Sequence, residues 1–218
     1  MKKLFLLALM TTIIVVAGYS QTGIIRALTG EVLTKPVGAV GFLPVEVGAV
    51  VVSDTVVSTG FRSTAIIVIG STTITVRPLT RLSLADIQSS SRTENLDIRL
   101  ETGRIRVDVR PAAGTRANTR VQTPVSVASV RGTGFEIDLY NIVMIDGTAM
   151  YGGNDNLNQT VSGDDSSMIS NDGVAQDPVQ RRRTNSAPST PVGTGEAGET
   201  QSTAEIITTG GFGVNVIW

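Results

Sequence analysis

The feature that most constrains the fold of this 218-residue chain is an unbroken alternation of apolar and charged residues from 104 to 110. A β-strand points successive side chains to opposite faces, so this period puts its three branched apolar residues on one face. Residues 96–101 and 134–139 alternate in the same way. We predict that the inward side chains include Ile105, Val107, Val109, Phe135, Ile137 and Leu139, and that the outward ones include Arg104, Arg106, Glu136 and Asp138.

The composition supports a fold built from strands. Val, Ile and Thr dominate the sequence, and branched side chains suit a pleated surface. Residues 66–69 are apolar throughout, which is typical of a central strand that is covered on both faces. Residues 72–76 alternate with Ile74 and Val76 inward. Residues 80–89 fit neither the helical nor the strand period cleanly, and we assign them to a strand.

Turn signals recur about every ten residues along the same region, as they do between short strands. They are Thr59-Gly60, Gly70-Ser71, Thr102-Gly103, Ala113-Gly114, Arg131-Gly132 and Asp146-Gly147. Because Thr102-Gly103 separates two alternating segments, we predict a tight hairpin turn there. The pattern predicts an all-β domain of many short strands, arranged as a roll, a solenoid or a sandwich.

The chain divides into four parts. Its start combines two lysines, an apolar run and small residues, as a secretory signal peptide does, and we place the cleavage near Ser20/Gln21. The alternative is that residues 4–17 stay in the inner membrane as an anchor, although a spanning helix normally needs about 20 apolar residues. The expected parts are a signal peptide (1–20), a β-domain (21–177), a flexible polar linker (178–204) and a C-terminal β-hairpin (205–218).

The sequence contains no cysteine and no histidine. Their absence excludes disulfides, thiolate metal sites, Ser-His-Asp triads and the usual zinc sites. The formal net charge of −1 offers no basic excess for nucleic acid. We therefore expect a protein that is not an enzyme, with no catalytic residue, no cofactor and no metal ion.

Two carboxylate pairs are the candidates for a hydrolytic site, because glycoside hydrolysis needs two such groups. They are Glu101 with Asp108, and Glu136 with Asp138. All four residues occupy outward strand positions, where a solvated charge is the simpler interpretation.

Two polar segments could bind charged ligands. The stretch Gly152–Asp165 contains Asn and Asp residues whose oxygens suit calcium, but it lacks the repeated nine-residue motif of a calcium-binding solenoid and reads as a polar loop. Residues 181–183 are three consecutive arginines, which could bind acidic lipid or polysaccharide or could simply be part of a solvated linker.

Four ordered motifs in residues 45–173 resemble the FecR domain family of bacterial envelope proteins. They are STGFRSTA at 58–65, ITVRPLTRLSL at 74–84, LETGRIRVDV at 100–109 and VQTPVSVASVRGTGFEI at 121–137. The signature residues that carry the resemblance are Thr59, Gly60, Gly103, Thr123, Pro124, Arg131, Gly132, Thr133 and Phe135.

Physical properties give these residues a structural interpretation. Pro124 fixes its own φ and offers no backbone donor, so it is expected at a strand start or edge. Gly132 and Gly134 are expected to adopt dihedral angles that a Cβ would forbid. Phe135 is expected to anchor the core. The alternative is that the segment 131–135 contacts a ligand or partner directly.

The resemblance implies a role in the bacterial envelope. In founding members of the family, a cytoplasmic segment handles a sigma factor, and the periplasmic part meets the signalling domain of an outer-membrane transporter. Only three residues precede the apolar run here, so we expect no sigma-factor-binding segment. The first expected function is an exported, non-catalytic module that binds an envelope protein or a cell-wall or surface glycan. The alternative is a membrane-anchored periplasmic regulator of signal transduction, and a hydrolase is the least favoured reading.

Overall fold

The computed structural model describes residues 22–90, 92–131, 134–153 and 156–179. Contacts divide the chain into two units, residues 1–187 and 188–218, and every described residue belongs to the first. The predicted signal peptide, the terminal hairpin and nearly all of the predicted linker lie outside the described residues. No helix within the described part is long and apolar enough to cross a membrane.

Short strands account for most of the described residues. They are β1 (Gly23–Thr29), β2 (Val32–Lys35), β3 (Leu43–Pro44), β4 (Val50–Val51), β5 (Val56–Thr59), β6 (Thr64–Ile69), β7 (Thr72–Val76), β8 (Arg81–Ser89), β9 (Thr93–Thr102), β10 (Arg104–Val109), β11 (Arg116–Gln122), β12 (Ser126–Arg131), β13 (Phe135–Asp138), β14 (Asn141–Met144), β15 (Thr148–Gly153), β16 (Asn156–Ser162) and β17 (Ser166–Met168). The expected all-β class is confirmed, and the segment that fitted neither period is strand β8.

The strands form two sheets. Sheet A has eight strands in the order β17-β14-β13-β10-β7-β6-β1-β4, and sheet B has nine in the order β16-β15-β12-β11-β9-β8-β5-β2-β3. Neighbouring strands are antiparallel except β9 and β11, which run parallel. One cluster of buried apolar side chains from both sheets forms the core.

Alternation along the strands decides which side chains enter this core. Five of the six predicted inward residues are buried, namely Ile105, Val107, Val109, Phe135 and Ile137. The sixth, Leu139, is only half-buried, because β13 ends at the preceding residue. The predicted outward residues Arg104, Arg106, Glu136 and Asp138 are exposed or half-buried.

Strand β6 differs from the prediction for residues 66–69. It is central in sheet A, but Ile66 and Val68 are half-buried while Ile67 and Ile69 are buried. Its second face is therefore not covered as a doubly packed strand would be. The apolar run hid the alternation, because a branched apolar residue is tolerated on an outer face as readily as a polar one.

The predicted hairpin at Thr102-Gly103 is wrong. Strand β9 pairs with β8 and β11 in sheet B, whereas β10 pairs with β7 and β13 in sheet A. Gly103, with a φ of 88°, therefore leads the chain from one sheet to the other. A hairpin within one sheet and a crossover between two sheets have the same sequence pattern, namely two alternating segments around a turn signal. Only the pairing of each strand with distant strands distinguishes them.

The strand registers show that the loops lie at two opposite ends of the sheets. The pairs Arg81 with Thr102 and Arg104 with Asp138 define one end, which we call the Gly103 end. The pairs Thr93 with Arg116 and Asn118 with Arg131 define the other, which we call the Arg131 end. The signature residues that the structure describes are distributed over both ends.

Candidate functional site

At the Gly103 end, Thr59 fastens strand β5 to the turn before β8. Its buried Oγ1 donates to the carbonyl of Arg77 at 2.6 Å and accepts from the backbone nitrogen of Thr80 at 3.1 Å. The next residue, Gly60, donates its N–H to the carbonyl of Glu31 at 2.9 Å. A Cβ on Gly60 would lie 3.0 Å from a carboxylate oxygen of Glu31, so the corner leaves little space for a side chain.

The crossover at Gly103 is packed against the same turn. Oγ1 of Thr80 accepts from the backbone nitrogen of Arg104 at 3.0 Å and donates to its carbonyl at 3.1 Å. A Cβ on Gly103 would fall 2.5 Å from Cα of Thr80 and 2.7 Å from the carbonyl oxygen of Leu79. Both the positive φ and the close backbone contact therefore require glycine here.

Thr123 organises the turn between β11 and β12. Its buried Oγ1 accepts from the backbone nitrogen of Ser126 at 2.9 Å and lies 3.0 Å from the carbonyl oxygen of Leu139, to which it can donate. The turn of sheet B is thereby joined to the end of β13 in sheet A. Pro124 is exposed within the turn itself and not at a strand start or edge, so no ladder bond is lost there.

Arg131 and Phe135 are the described signature residues at the Arg131 end. Arg131 is the exposed last residue of β12, Phe135 is fully buried as the first residue of β13, and Gly132 and Thr133 fall outside the described residues. Gly134 does not adopt a positive φ, so the prediction that its dihedral angles exclude a Cβ is wrong. A Cβ there would lie 3.3 Å from Oδ1 of Asp108.

The outer face of sheet A carries a charged strip, which we define as Arg77, Arg104, Glu136 and Asp138. Arg104 contacts Asp138 at 2.9 Å and Glu136 at 3.6 Å, and Arg77 contacts Glu136 at 3.3 Å. These residues lie on or just beyond the adjacent strands β7, β10 and β13, so the register of the sheet produces the network. Both carboxylates of the Glu136 and Asp138 pair therefore contact guanidinium groups.

Asp138 is the most strongly held group in the charged strip. Partial burial acts to raise its pKa, but hydrogen bonds from the backbone nitrogens of Tyr140 and Asn141 and from the side chains of Asn141 and Arg104 together lower its pKa below the ordinary value. Its Oδ1 accepts from the nitrogen of Asn141 at 2.8 Å. Asp138 thus stabilises the turn between β13 and β14 as well as the ion pair.

Apolar side chains border the charged strip. Val143 is 44% exposed and Ile145 is 38% exposed, and both help to line an open cleft of about 410 Å³ with Arg104 and Glu136. Exposed Tyr140 lies at the adjoining turn. Sequence reasoning missed this surface, although the alternation of residues 141–145 signals that Val143 points away from the core.

The other candidate groups do not converge. Glu101 belongs to sheet B and Asp108 to sheet A. Gly152 lies near one end of the β15–β16 hairpin, and Asp164 and Asp165 follow the other end, so the two halves of the calcium candidate are apart. Within the described residues, no three His, Cys, Asp or Glu side chains are placed to share a metal ion.

Comparisons with known proteins address the family. The model of the family described as FecR protein matches residues 55–148, which lie inside the region 45–173 whose motifs resemble it. No curated protein matches the sequence. Two crystal structures of a candidate anti-sigma factor from Parabacteroides distasonis ATCC 8503, at 1.65 Å and 2.50 Å, are similar to the chain.

The likeness to these structures is distant. Each has 11% sequence identity and a TM-score of 0.44. The first match covers 61% of this chain and 65% of the other, and the second covers 58% and 62%. This chain therefore spans less than two thirds of the length of either neighbour. The family match falls on strands β5 to β14, where the described signature residues take the positions given above, and this chain contains a FecR domain at residues 55–148.

Proposed function

We propose that this chain is a FecR-type regulator of signal transduction in the bacterial envelope, which acts by contacting a protein partner and catalyses no reaction. The observation that carries the proposal is the FecR domain at residues 55–148. Of the functions expected from the sequence, this match favours the regulator over a general glycan- or protein-binding module. A non-catalytic role agrees with the absence of histidine and cysteine from the sequence.

The proposal places the β-domain outside the cytoplasm. Its support is the N-terminal sequence pattern, in which a basic start precedes an apolar run at residues 4–17. Cleavage near Ser20/Gln21 gives a free periplasmic protein, and retention of the run gives an anchored one. The intact mass of the native protein distinguishes these two forms.

The charged strip and its apolar border are the surface that we assign to the partner. Arginines, a tyrosine and branched apolar side chains lie together there, and interfaces are enriched in Arg and Tyr around apolar centres. Val143 and Ile145 supply the apolar part, while Arg104 and Tyr140 lie beside them. The ion pairs hold the arginine side chains in place before a partner binds, which lowers the entropy lost on binding.

Site-specific photo-crosslinking in native cells tests the assignment. A photoreactive residue at position 143 should give one dominant adduct with an envelope protein, whereas the same residue at Arg26 should not. Arg26 is exposed on β1, which lies towards the opposite edge of sheet A from β14. In a separate chain without the photoreactive residue, Val143→Asp should alter the transcriptional response that deletion of the chain also alters, without changing the thermal melt.

Two results would contradict the proposal. Equal adducts at positions 143 and 26 would show that the charged strip is not the contact surface. An unchanged transcript profile after deletion of the chain, under envelope stresses that include iron limitation and antibiotic exposure, would contradict a role in signal transduction.

A further inference from the structure

The Arg131 end contains an open cleft on sheet B that the proposed function does not use. Its volume is about 590 Å³, and its lining includes Thr93, Pro111, Thr115, Arg116, Asn118 and Arg131. Asn118 lies directly opposite Arg131 in the β11–β12 ladder. Arg116 is two residues away on the same face, so the two arginines are diagonal neighbours with an amide between them.

The two arginines of this cleft are exposed and have no ion pair or side-chain hydrogen bond within the described residues. Arg77, Arg104 and Arg106 on sheet A, in contrast, all contact carboxylates. An arginine without a carboxylate partner keeps its full set of donors available for a ligand.

Neighbouring charges leave the cleft electropositive. The carbonyl of exposed Arg92 accepts from the backbone nitrogen of Arg116 at 2.8 Å, so a third arginine residue neighbours the cleft. Glu94 is held away by Ser71, whose backbone nitrogen donates to its carboxylate at 3.0 Å. The nearest acid along the face is Asp97, which lies opposite Arg120 in the β9–β11 ladder.

Amide groups distinguish this cleft from a purely ionic patch. The side-chain nitrogen of Asn118 donates to the side-chain oxygen of Asn95 at 2.9 Å across the parallel β9–β11 pair. This pair still offers a carbonyl oxygen and N–H groups towards the solvent. A guanidinium matches a carboxylate through two parallel hydrogen bonds, and an amide matches sugar hydroxyls, which both donate and accept.

We propose that this cleft binds an acidic polysaccharide, with Arg116 and Arg131 on its carboxylates and Asn118 on its hydroxyls. The combination of guanidinium and amide groups in an open cleft favours a uronic-acid polymer over a lipid surface, for which the hydroxyl-matching amides have no use. It also gives the exposed signature residue Arg131 a ligand.

Titration with oligogalacturonate of defined length tests the proposal on the full chain. We expect binding that weakens as salt rises, and about tenfold weaker binding after the double change Arg116→Gln and Arg131→Gln. The control Arg26→Gln removes one arginine from sheet A, as Arg116→Gln alone does from sheet B, and it should bind like the parent. Arg131→Lys should also bind more weakly, because lysine keeps the charge but not the bidentate geometry.

Other probes separate the ligand classes. A neutral malto-oligosaccharide of the same length, polyaspartate and phosphatidylglycerol vesicles should each bind more weakly than oligogalacturonate. Equal binding of polyaspartate or vesicles would overturn the assignment to a polysaccharide, as would no binding of oligogalacturonate. If the double variant melts early, Arg116→Gln alone provides the comparison, because its side chain is exposed at the start of β11.

Discussion

Buried hydroxyl groups hold the loops of this domain together. The described polar side chains in the buried class are all Ser or Thr: Thr34, Thr55, Thr59, Ser63, Thr72, Thr80, Thr119, Thr123, Ser126 and Ser167. The hydroxyls of Thr59, Thr80 and Thr123 bond to backbone groups that lie on or just beyond other strands. The hydroxyl of Thr119 is different, because it has no hydrogen-bond partner among the described residues and faces the core from β11. The threonine-rich composition thus reflects both strand propensity and fastening of the loops.

Thr119 and Thr123 should respond oppositely to loss of the hydroxyl. Thr119→Val keeps the shape and removes an unpaired buried hydroxyl, so the free energy of unfolding should rise by about 1 kcal/mol. Thr123→Val leaves the backbone nitrogen of Ser126 and the carbonyl of Leu139 without this partner, so it should cost about 1–3 kcal/mol. Urea denaturation measures both, and a loss of stability in Thr119→Val would contradict the account.

Comparison of Gly103 with Gly114 separates two reasons why a position requires glycine, namely a positive φ and a close contact with backbone atoms. Both have a positive φ, but of the two only Gly103 would bring a Cβ against backbone atoms, since no atom of a described residue lies within 4 Å of one at Gly114. Gly114→Ala should cost about 1–2 kcal/mol for the left-handed conformation. Gly103→Ala should cost about 1–3 kcal/mol more because of the clash. Equal losses in thermal unfolding of the two variants would show that the crossover relaxes without cost.

At the scale of elements, the sequence predicts strands better than it predicts their partners. The alternation at Arg104–Val109 defines both the strand and its buried face, because the period of a strand is local. Its place in sheet A beside β7 and β13 depends on pairing across distant segments, and that is why the hairpin at Thr102-Gly103 was wrong. The charged strip was missed for the same reason, since its members are separated by up to 61 positions in the sequence.

The free energy of unfolding should depend on pH in the acid range because of Asp138, which stabilises the turn from β13 to β14. The pKa of Asp138 is lower in the folded chain than in the unfolded chain, so its contribution is fully present above the unfolded value of about 4. This contribution to stability is lost as the pH falls through the pKa of the folded chain, because the unfolded chain binds the proton at a higher pH. Asp138→Asn should flatten this part of the pH profile in urea titrations. If the free energy of unfolding of that variant fell with pH as steeply as that of the parent, Asp138 would not be the source of the acid dependence.

At the scale of the molecule, both sheets share one core, so they should unfold together. Phe135 enters this core from sheet A and is fully buried, among side chains of both sheets. Many strand pairs join distant positions, such as β9 with β11 and β12 with β15, and such pairings make folding slow.

Phe135→Ala should test this cooperativity. It should lower the free energy of unfolding by about 3–5 kcal/mol, as expected for a buried aromatic side chain. Hydrogen exchange should speed up equally in β10 of sheet A and β9 of sheet B. Phe135→Leu, which fills most of the volume, should lose much less. Faster exchange in sheet A alone would show that the sheets open separately.

The order of strands in the two sheets has a consequence for how the domain is made and how it varies. From β5 onward, each strand joins its sheet beyond the strands that precede it in the chain, at the same side of the molecule. A nascent chain can therefore extend both sheets as it emerges, because each new strand meets partners that are already present. Insertion or loss of one crossover with its strands would lengthen or shorten the domain in whole steps, much as repeats are gained and lost in modular proteins.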